Sequence, residues 1–266
     1  MTRVIKVGGR TQLDPSLVEA LAAAHRTTFP AEHSAHAVPH GAIVVVHGGG
    51  DEVSTLQRLY GIVAEFKGGR RITSQADLDI IRMALSGSAN KRLVSALVSR
   101  QVPAIGLSGE DAGLLIATPL DPDQFGFVGT PAHVNVGLLN QLLASLYMPV
   151  ISPVSRCADP RVGETLNVNG DDAAAAIAVA LGAEELLLVS DVAGVLRDGM
   201  ALPSLAPEDA QRLIDDGTAQ GGMAAKLQAA ITALDGGVER VRISDIAAIE
   251  QLERGTVLTR EGSVCA

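Results

Sequence analysis

The sequence predicts an α/β protein, a three-layer αβα sandwich built on a mostly parallel central sheet. Two observations carry this expectation. Short, β-branched apolar runs recur at residues 4–7, 42–47, 104–107, 150–152, 185–189 and 241–244, each bounded by Gly, Pro, Ser or Asp, as buried strands are. Between them lie stretches of helical period at 15–25, 52–60, 75–85, 89–100, 135–147, 171–181, 207–216, 223–234 and 245–253. Such alternation implies βαβ crossovers, hence parallel strands with helices on both faces.

The first strand carries Lys6 within an apolar run and ends in Gly8-Gly9 before helix 15–25. Residues 25–40 hold His25, His33, His36 and His40 beside Pro30 and Pro39, which reads as an exposed insertion rather than a metal site. Strand 42–47 runs into His47-Gly48-Gly49-Gly50 and a helix. Lys91 follows Gly87 and Ser88, but no strand precedes that segment, so it belongs to a helical face. Looser stretches at 119–131 and 153–166 read as hairpins or lid loops. Gly182 separates an Ala-rich helix from strand 185–189 and divides a first lobe, 1–181, from a second, 182–266. No flexible linker intervenes, so the lobes are expected to share one sheet.

At 266 residues, 47% of them hydrophobic, the chain is long enough to bury a large core. A net charge of −9 argues against nucleic acid or an anionic membrane as partner, and aromatic residues, at 2%, are too few for base-stacking platforms. Anionic substrates must then be attracted locally, by a few Lys and Arg side chains in a cleft. Two distant cysteines, Cys157 and Cys265, suggest neither a disulfide framework nor a zinc site. No secretory leader or membrane span is apparent, so a cytoplasmic protein acting on small molecules is expected.

Lys6 is a candidate catalytic residue because charge is seldom placed inside a buried strand, and ligands of open parallel sheets bind beyond the carboxyl ends of strands. Glycine-rich turns after strands let backbone N–H groups approach an anion, and a following helix N-terminus adds positive partial charge. Asn167, Asn169, Asp171 and Asp172 crowd the start of helix 171–181. Capping accounts for one carboxylate there; the rest suit ligand hydrogen bonds or the orientation of a lysine. Lys226, read in the first turn of the helix after Gly221-Gly222-Met223, opposes the helix dipole unless an anion faces it, and an ATP phosphate would be that anion. The chain lacks Gly-x-x-x-x-Gly-Lys-Ser/Thr, Gly-x-Gly-x-x-Gly and the His-Arg-Asp and Asp-Phe-Gly signatures, which disfavours P-loop NTPases, Rossmann dehydrogenases and protein kinases.

Read together, Lys6-Val7-Gly8-Gly9, His47–Gly50, Arg71-Ile72-Thr73, Gly106–Asp111, Asn167–Asp171, Ser190-Asp191-Val192-Ala193-Gly194-Val195 and Gly221–Lys226 resemble the motifs of the amino acid kinase superfamily. Within it they are most similar to the acetylglutamate-phosphorylating branch, over almost the whole chain. The resemblance implies transfer of the γ-phosphoryl of ATP, with Mg²⁺, to the γ-carboxylate of N-acetyl-L-glutamate in arginine biosynthesis. It implies that Lys6 and Lys226 stabilise the transferring group and Asp171 organises them. Gly49, Gly50, Arg71 and Asn167 would bind the acceptor in the first lobe. Gly8, Gly9, Ser190, Asp191, Gly194 and Gly222 would serve the phosphates and nucleotide, with no protein-held metal site. Two positions depart from the family pattern: Asp111-Ala112 stands where Asp-Gly is usual, and Gly170 replaces the usual Ala.

An arginine-insensitive homodimer is also implied. Rival readings keep the chemistry with another acceptor, a carrier-bound aminoadipate or glutamate or another N-acyl glutamate, or make the chain a catalytically silent sensor on the same fold.

Overall fold

A computed structural model describes residues 2–8, 10–28, 41–67, 70–159, 161–197 and 199–260. Gly9, Cys265 and residues 29–40 of the histidine-rich segment 25–40 lie outside the described residues; His25, expected in an exposed insertion, is instead buried on the last turn of the first helix, Pro15–Thr28. In chain order the strands are β1 (Arg3–Val7), β2 (Ile43–His47), β3 (Phe66–Lys67), β4 (Arg70–Arg71), β5 (Ala104–Gly109), β6 (Leu115–Pro119), β7 (Val128–Val134) and β8 (Met148–Cys157). They continue as β9 (Thr165–Val168), β10 (Glu185–Val189), β11 (Leu196–Arg197), β12 (Met200–Ala201), β13 (Ser204–Leu205), β14 (Arg240–Ser244) and β15 (Thr256–Leu258). The helices are α1 (Pro15–Thr28), α2 (Gly50–Leu59), α3 (Gln75–Ile81), α4 (Asn90–Val98), α5 (Pro122–Phe125), α6 (Val136–Ala144), α7 (Gly170–Leu181), α8 (Pro207–Asp215) and α9 (Gly221–Asp235).

One 11-stranded sheet runs β13-β15-β14-β10-β1-β2-β8-β6-β7-β9, with β5 also on β8. The strands β14, β10, β1, β2, β8 and β5 are mutually parallel, and antiparallel pairing is confined to β14/β15, β6/β7 and β8/β9 among the described residues of this sheet. Side chains alternate across this sheet. Val4, Val44 and Val46 pack into a layer with α7 and α9, while Ile5, Val7, Ile43 and Val45 pack into a layer with α1 and α4. Helices on both faces make the expected αβα sandwich. Ala173, Ala174, Ala175 and Ala178 of α7 and Ala229, Ala230 and Ala233 of α9 are buried, and such small side chains let these helices lie close together on the sheet.

Several expectations need correction. The stretches 75–85 and 89–100 form a continuous helical run in which Arg82–Ala89 is a π-helical segment between α3 and α4. Residues 245–253 make only a short 3₁₀ turn, Ile246–Ile249, because the carbonyls of Ala248, Gln251 and Arg254 accept from the buried Arg242 guanidinium. Helix α9 starts at Gly221 rather than at Met223, which moves Lys226 from the first turn into the second. Of the two readings of the looser stretches, the hairpin holds: 119–131 closes the antiparallel β6/β7 pair, and 153–166 carries the end of β8 and the start of β9, also antiparallel.

Candidate active site

Because Lys6 shares the face of Val4, its side chain enters the layer of α7 and α9. There Lys6 Nζ lies 2.8 Å from Asp171 Oδ1, and Lys226 Nζ, from α9, lies 3.1 Å from the same oxygen and 3.3 Å from Oδ2. All three side chains are buried. Burial opposes ionisation of Asp171, but the two ammonium groups outweigh it and hold the carboxyl below the usual carboxylate range. The Lys226 pKa is lowered too, which here works against the charge: burial first, then the nearby Lys6 charge, bring it to about 8. The anion that Lys226 was expected to face is thus supplied, before any ligand, by Asp171.

Two cavities meet at this cluster. The larger, about 470 Å³, is lined by Gly8, Arg10, Thr11, Gly50, Asp51, Ser190, Asp191, Val192, Gly222, Met223 and Lys226. The smaller, about 190 Å³, is lined by Lys6, Gly49, Gly50, Phe66, Arg70, Arg71, Asn167, Asn169, Gly170 and Asp171 among others. Gly50 borders both, with Lys226 on one side and Lys6 and Asp171 on the other. The site lies at the carboxyl ends of β1, β2 and β10, where an open parallel sheet offers a crevice.

Gly49 caps α2 with φ of 154°, and a Cβ there would stand 2.6 Å from Leu85 Cδ2. Only glycine fits this backbone and this gap. Arg71 is fixed by four contacts: it donates to Ser54 Oγ at 2.9 Å, to Gly50 O at 3.2 Å and to Gln57 Oε1, and it lies 4.6 Å over the Phe66 ring. Gln57 is held in turn by Asp77, which closes a capping box with Ser74 at the start of α3.

The crowded polar residues at the head of α7 have separate tasks. Asn169 is the cap, its Oδ1 accepting from Asp171 N at 2.8 Å and Asp172 N at 3.4 Å. Asp171 faces the lysines, and Asp172 pairs with Arg70 Nη1 at 2.7 Å. Asn167 donates to Thr73 Oγ1 at 3.1 Å and lines the smaller cavity.

Of the residues singled out from the sequence, Lys6, Asp171, Lys226, Gly49, Gly50, Arg71 and Asn167 converge here, and Gly8, Ser190, Asp191 and Gly222 line the larger cavity. Gly194 lines neither cavity; a Cβ there would come within 2.6 Å of Thr256 Oγ1, so its part is close packing against β15. Sequence reasoning missed Arg10, Thr11 and Asp51 on the larger cavity, although Arg10 directly follows the first glycine pair. It also missed Ser54 and Gln57 behind Arg71, for which helical spacing gives no signal.

Paired lysines around one carboxylate, at the junction of two cavities, make a site able to hold two anions side by side. The chain belongs to the amino acid kinase family, whose model matches residues 1–245. It is 40% identical over 265 residues to an acetylglutamate kinase of Roseiflexus castenholzii, covering 99% of this chain and 96% of that one. It is 42% identical over 248 residues to an acetylglutamate kinase of Chloroflexus aurantiacus, covering 92% of each. Among solved structures, smu.665 from Streptococcus mutans UA159 superposes with a TM-score of 0.84 at 27% identity, over 98% of this chain and 99% of that one. Carbamate kinase from Giardia lamblia bound to AMP-PNP shares the fold, with a TM-score of 0.71 at 15% identity over 98% of each chain.

Proposed function

We propose that the protein transfers the γ-phosphoryl group of ATP to the γ-carboxylate of N-acetyl-L-glutamate, giving N-acetyl-L-glutamyl 5-phosphate for arginine biosynthesis. The observation that carries this reading is the Lys6–Asp171–Lys226 cluster at the shared wall of the two cavities. The acetylglutamate kinases it resembles at 40 and 42% identity support the acceptor.

A carboxylate acceptor is already ionised at neutral pH, since a glutamate side chain in water titrates at about 4.3, so no general base is needed. Catalysis then rests on holding two anions in line and neutralising charge on the transferred group. Arg71 and Asn167 hold the acceptor in the smaller cavity, within the first lobe, 1–181. The larger cavity takes the nucleotide against Ser190, Asp191 and Gly222 of the second lobe, 182–266, with Gly8 from the first. Lys6 and Lys226 approach the phosphoryl oxygens from opposite sides, and Asp171 keeps the two ammonium groups at a fixed spacing. The acceptor carboxylate oxygen forms the new P–O bond as the bond to the ADP oxygen breaks.

Among the described residues no group of three or more His, Cys, Asp or Glu could hold a metal ion. Mg²⁺ is commonly bound by one or two carboxylates together with substrate phosphates, and Asp51 and Asp191 on the larger cavity fit an ion that arrives on the nucleotide. When bound, the ion neutralises phosphate charge. No helix among the described residues is long and apolar enough to cross a membrane. A cytoplasmic homodimer insensitive to arginine belongs to the same proposal; a hexamer on size-exclusion chromatography, or inhibition by arginine, contradicts it.

The direct test traps acyl phosphate as hydroxamate with ATP and Mg²⁺, comparing N-acetyl-L-glutamate with N-succinyl-L-glutamate, glutamate, aspartate and carrier-bound glutamate. Selective signal with N-acetyl-L-glutamate is the expected result. Signal only with another acceptor keeps the chemistry and moves the substrate, and none with any of them sinks the kinase reading.

A further inference from the structure

The face of β2 turned away from Lys6 carries a buried polar cluster that the phosphoryl chemistry leaves unused. His47 continues the alternation of Ile43 and Val45 and therefore points into the layer of α1 and α4. Its ring is fully buried, as is Asn90, the first residue of α4. Asn90 Nδ2 lies 3.0 Å from His47 Nε2, 2.9 Å from Val150 O and 3.3 Å from Leu107 O, while its Oδ1 accepts from Lys91 Nζ at 3.1 Å. The reverse amide orientation would set its NH₂ against the Lys91 ammonium and its oxygen against the Val150 carbonyl. An amide nitrogen only donates, so His47 Nε2 accepts and the ring proton resides on Nδ1.

His47 Nδ1 lies 2.9 Å from Gly48 O, which also accepts from Gln12 Nε2 at 2.5 Å. In a trans peptide the C=O and the following N–H point in opposite directions, so donors that pin Gly48 O also set the aim of the Gly49 N–H. Among the described residues that N–H has no protein acceptor, and Gly49 lines the smaller cavity beside Lys6. We infer that His47, locked by Asn90 as the Nδ1–H tautomer, acts with Gln12 as a positioning residue, orienting the Gly48–Gly49 peptide so that the Gly49 N–H meets the transferring phosphoryl group. The functional half rests on the kinase reading; the tautomer does not.

Long-range ¹H–¹⁵N spectra of histidine-labelled full-length protein read the tautomer directly. The His47 signal is assigned by its loss in His47→Gln, or, if that variant does not fold, by replacing the other histidines instead. An Nδ1–H pattern at neutral pH is expected, and an Nε2–H pattern overturns the inference. In kinetics, Gln12→Ala and Asn90→Ala should lower kcat about tenfold or more, with KM for both substrates within about threefold, since a misaimed donor is lost only where charge develops. Gln12→Ala should melt like the wild type. Wild-type kcat in both variants, or a change confined to KM, overturns the positioning role while wild-type turnover keeps the kinase reading; absence of turnover by the wild type removes that reading and the functional half with it.

Discussion

Lys226 is buried beside a second lysine, and its pKa of about 8 leaves it poised to lose its proton in mildly alkaline solution. Only the ammonium form neutralises a phosphoryl group. The kcat/KM value should therefore fall as pH rises through about 8, and the fall in kcat should sit higher, because bound phosphates favour the charged form. A flat kcat/KM profile from about pH 7 to about 9.5 would contradict the assignment. Replacement of Lys6 or Lys226 by Ala should each lower kcat by roughly 10²–10³-fold, the usual loss for one preorganised donor. Near wild-type turnover in both variants refutes the role. Ala112 is a different kind of residue-scale feature: it sits at φ 51°, ψ 27°, a left-handed conformation where the family pattern has glycine. Ala112→Gly relieves about 1–2 kcal/mol of strain and returns about 0.5–1 kcal/mol of unfolded-chain entropy. A gain of up to about 1 kcal/mol, or about 2–4 °C in Tm, is expected in a thermal melt, and a lower Tm would show that the turn carries no such strain.

Arg70 of β4 and Asp172 of α7 join two elements that have no sequence connection, and both side chains are partly shielded from water. Burial raises the Asp172 carboxyl pKa, and the Arg70 charge works against that rise. Arg70 also lines the smaller cavity beside Arg71, so this pair ties the β3–β4 ribbon to the turn that carries Asp171. In a double-mutant cycle with Arg70→Met and Asp172→Asn, either change alone should raise the acceptor KM severalfold, and the two together should do little more. The coupling should be about 1 kcal/mol; strict additivity would mean that the pair is incidental. Such a link is invisible in sequence, since its partners lie far apart in the chain with no periodic relation between them. The strands β1, β2 and β10 were legible because they are buried on both faces and read as β-branched or leucine runs, interrupted in β1 by Lys6 alone between Val4 and Val7. The strands β6 and β7 were not, because Thr118, Pro119, Gly129, Thr130 and Pro131 carry turn composition and owe their extended form to pairing across the β6/β7 hairpin, nor was β9, a four-residue strand held between β7 and β8. Glycine-rich turns announced the cavities, while the His47–Asn90 contact, formed across the fold, left no local trace.

Among the described residues, two buried ion-pair clusters stand at opposite ends of the central strands. At the end remote from the cavities, Glu185 is fully buried and accepts from Arg3 at 2.7 Å, Arg240 at 2.8 Å and Arg242 at 2.6 Å. This cluster ties β1, β10 and β14 together, and through Arg242 it holds the chain at 248–254. Glu185→Gln strands buried guanidinium groups without their counter-charge and should cost about 3–5 kcal/mol of stability, read as a lowered denaturant midpoint. Because the site lies at the other end of the same strands, kcat well below the melting range should stay near the wild-type value.

Gly50 faces both cavities. Two ligands held separately each surrender their translational and rotational freedom, whereas one molecule spanning both compartments surrenders it once, so its affinity approaches the product of the two until the tether is strained. A shared border at Gly50 favours short tethers. In a series of nucleotides joined to a glutamate-like acid through bridges of increasing length, the tightest binder would therefore serve as a ruler for the path the phosphorus atom travels.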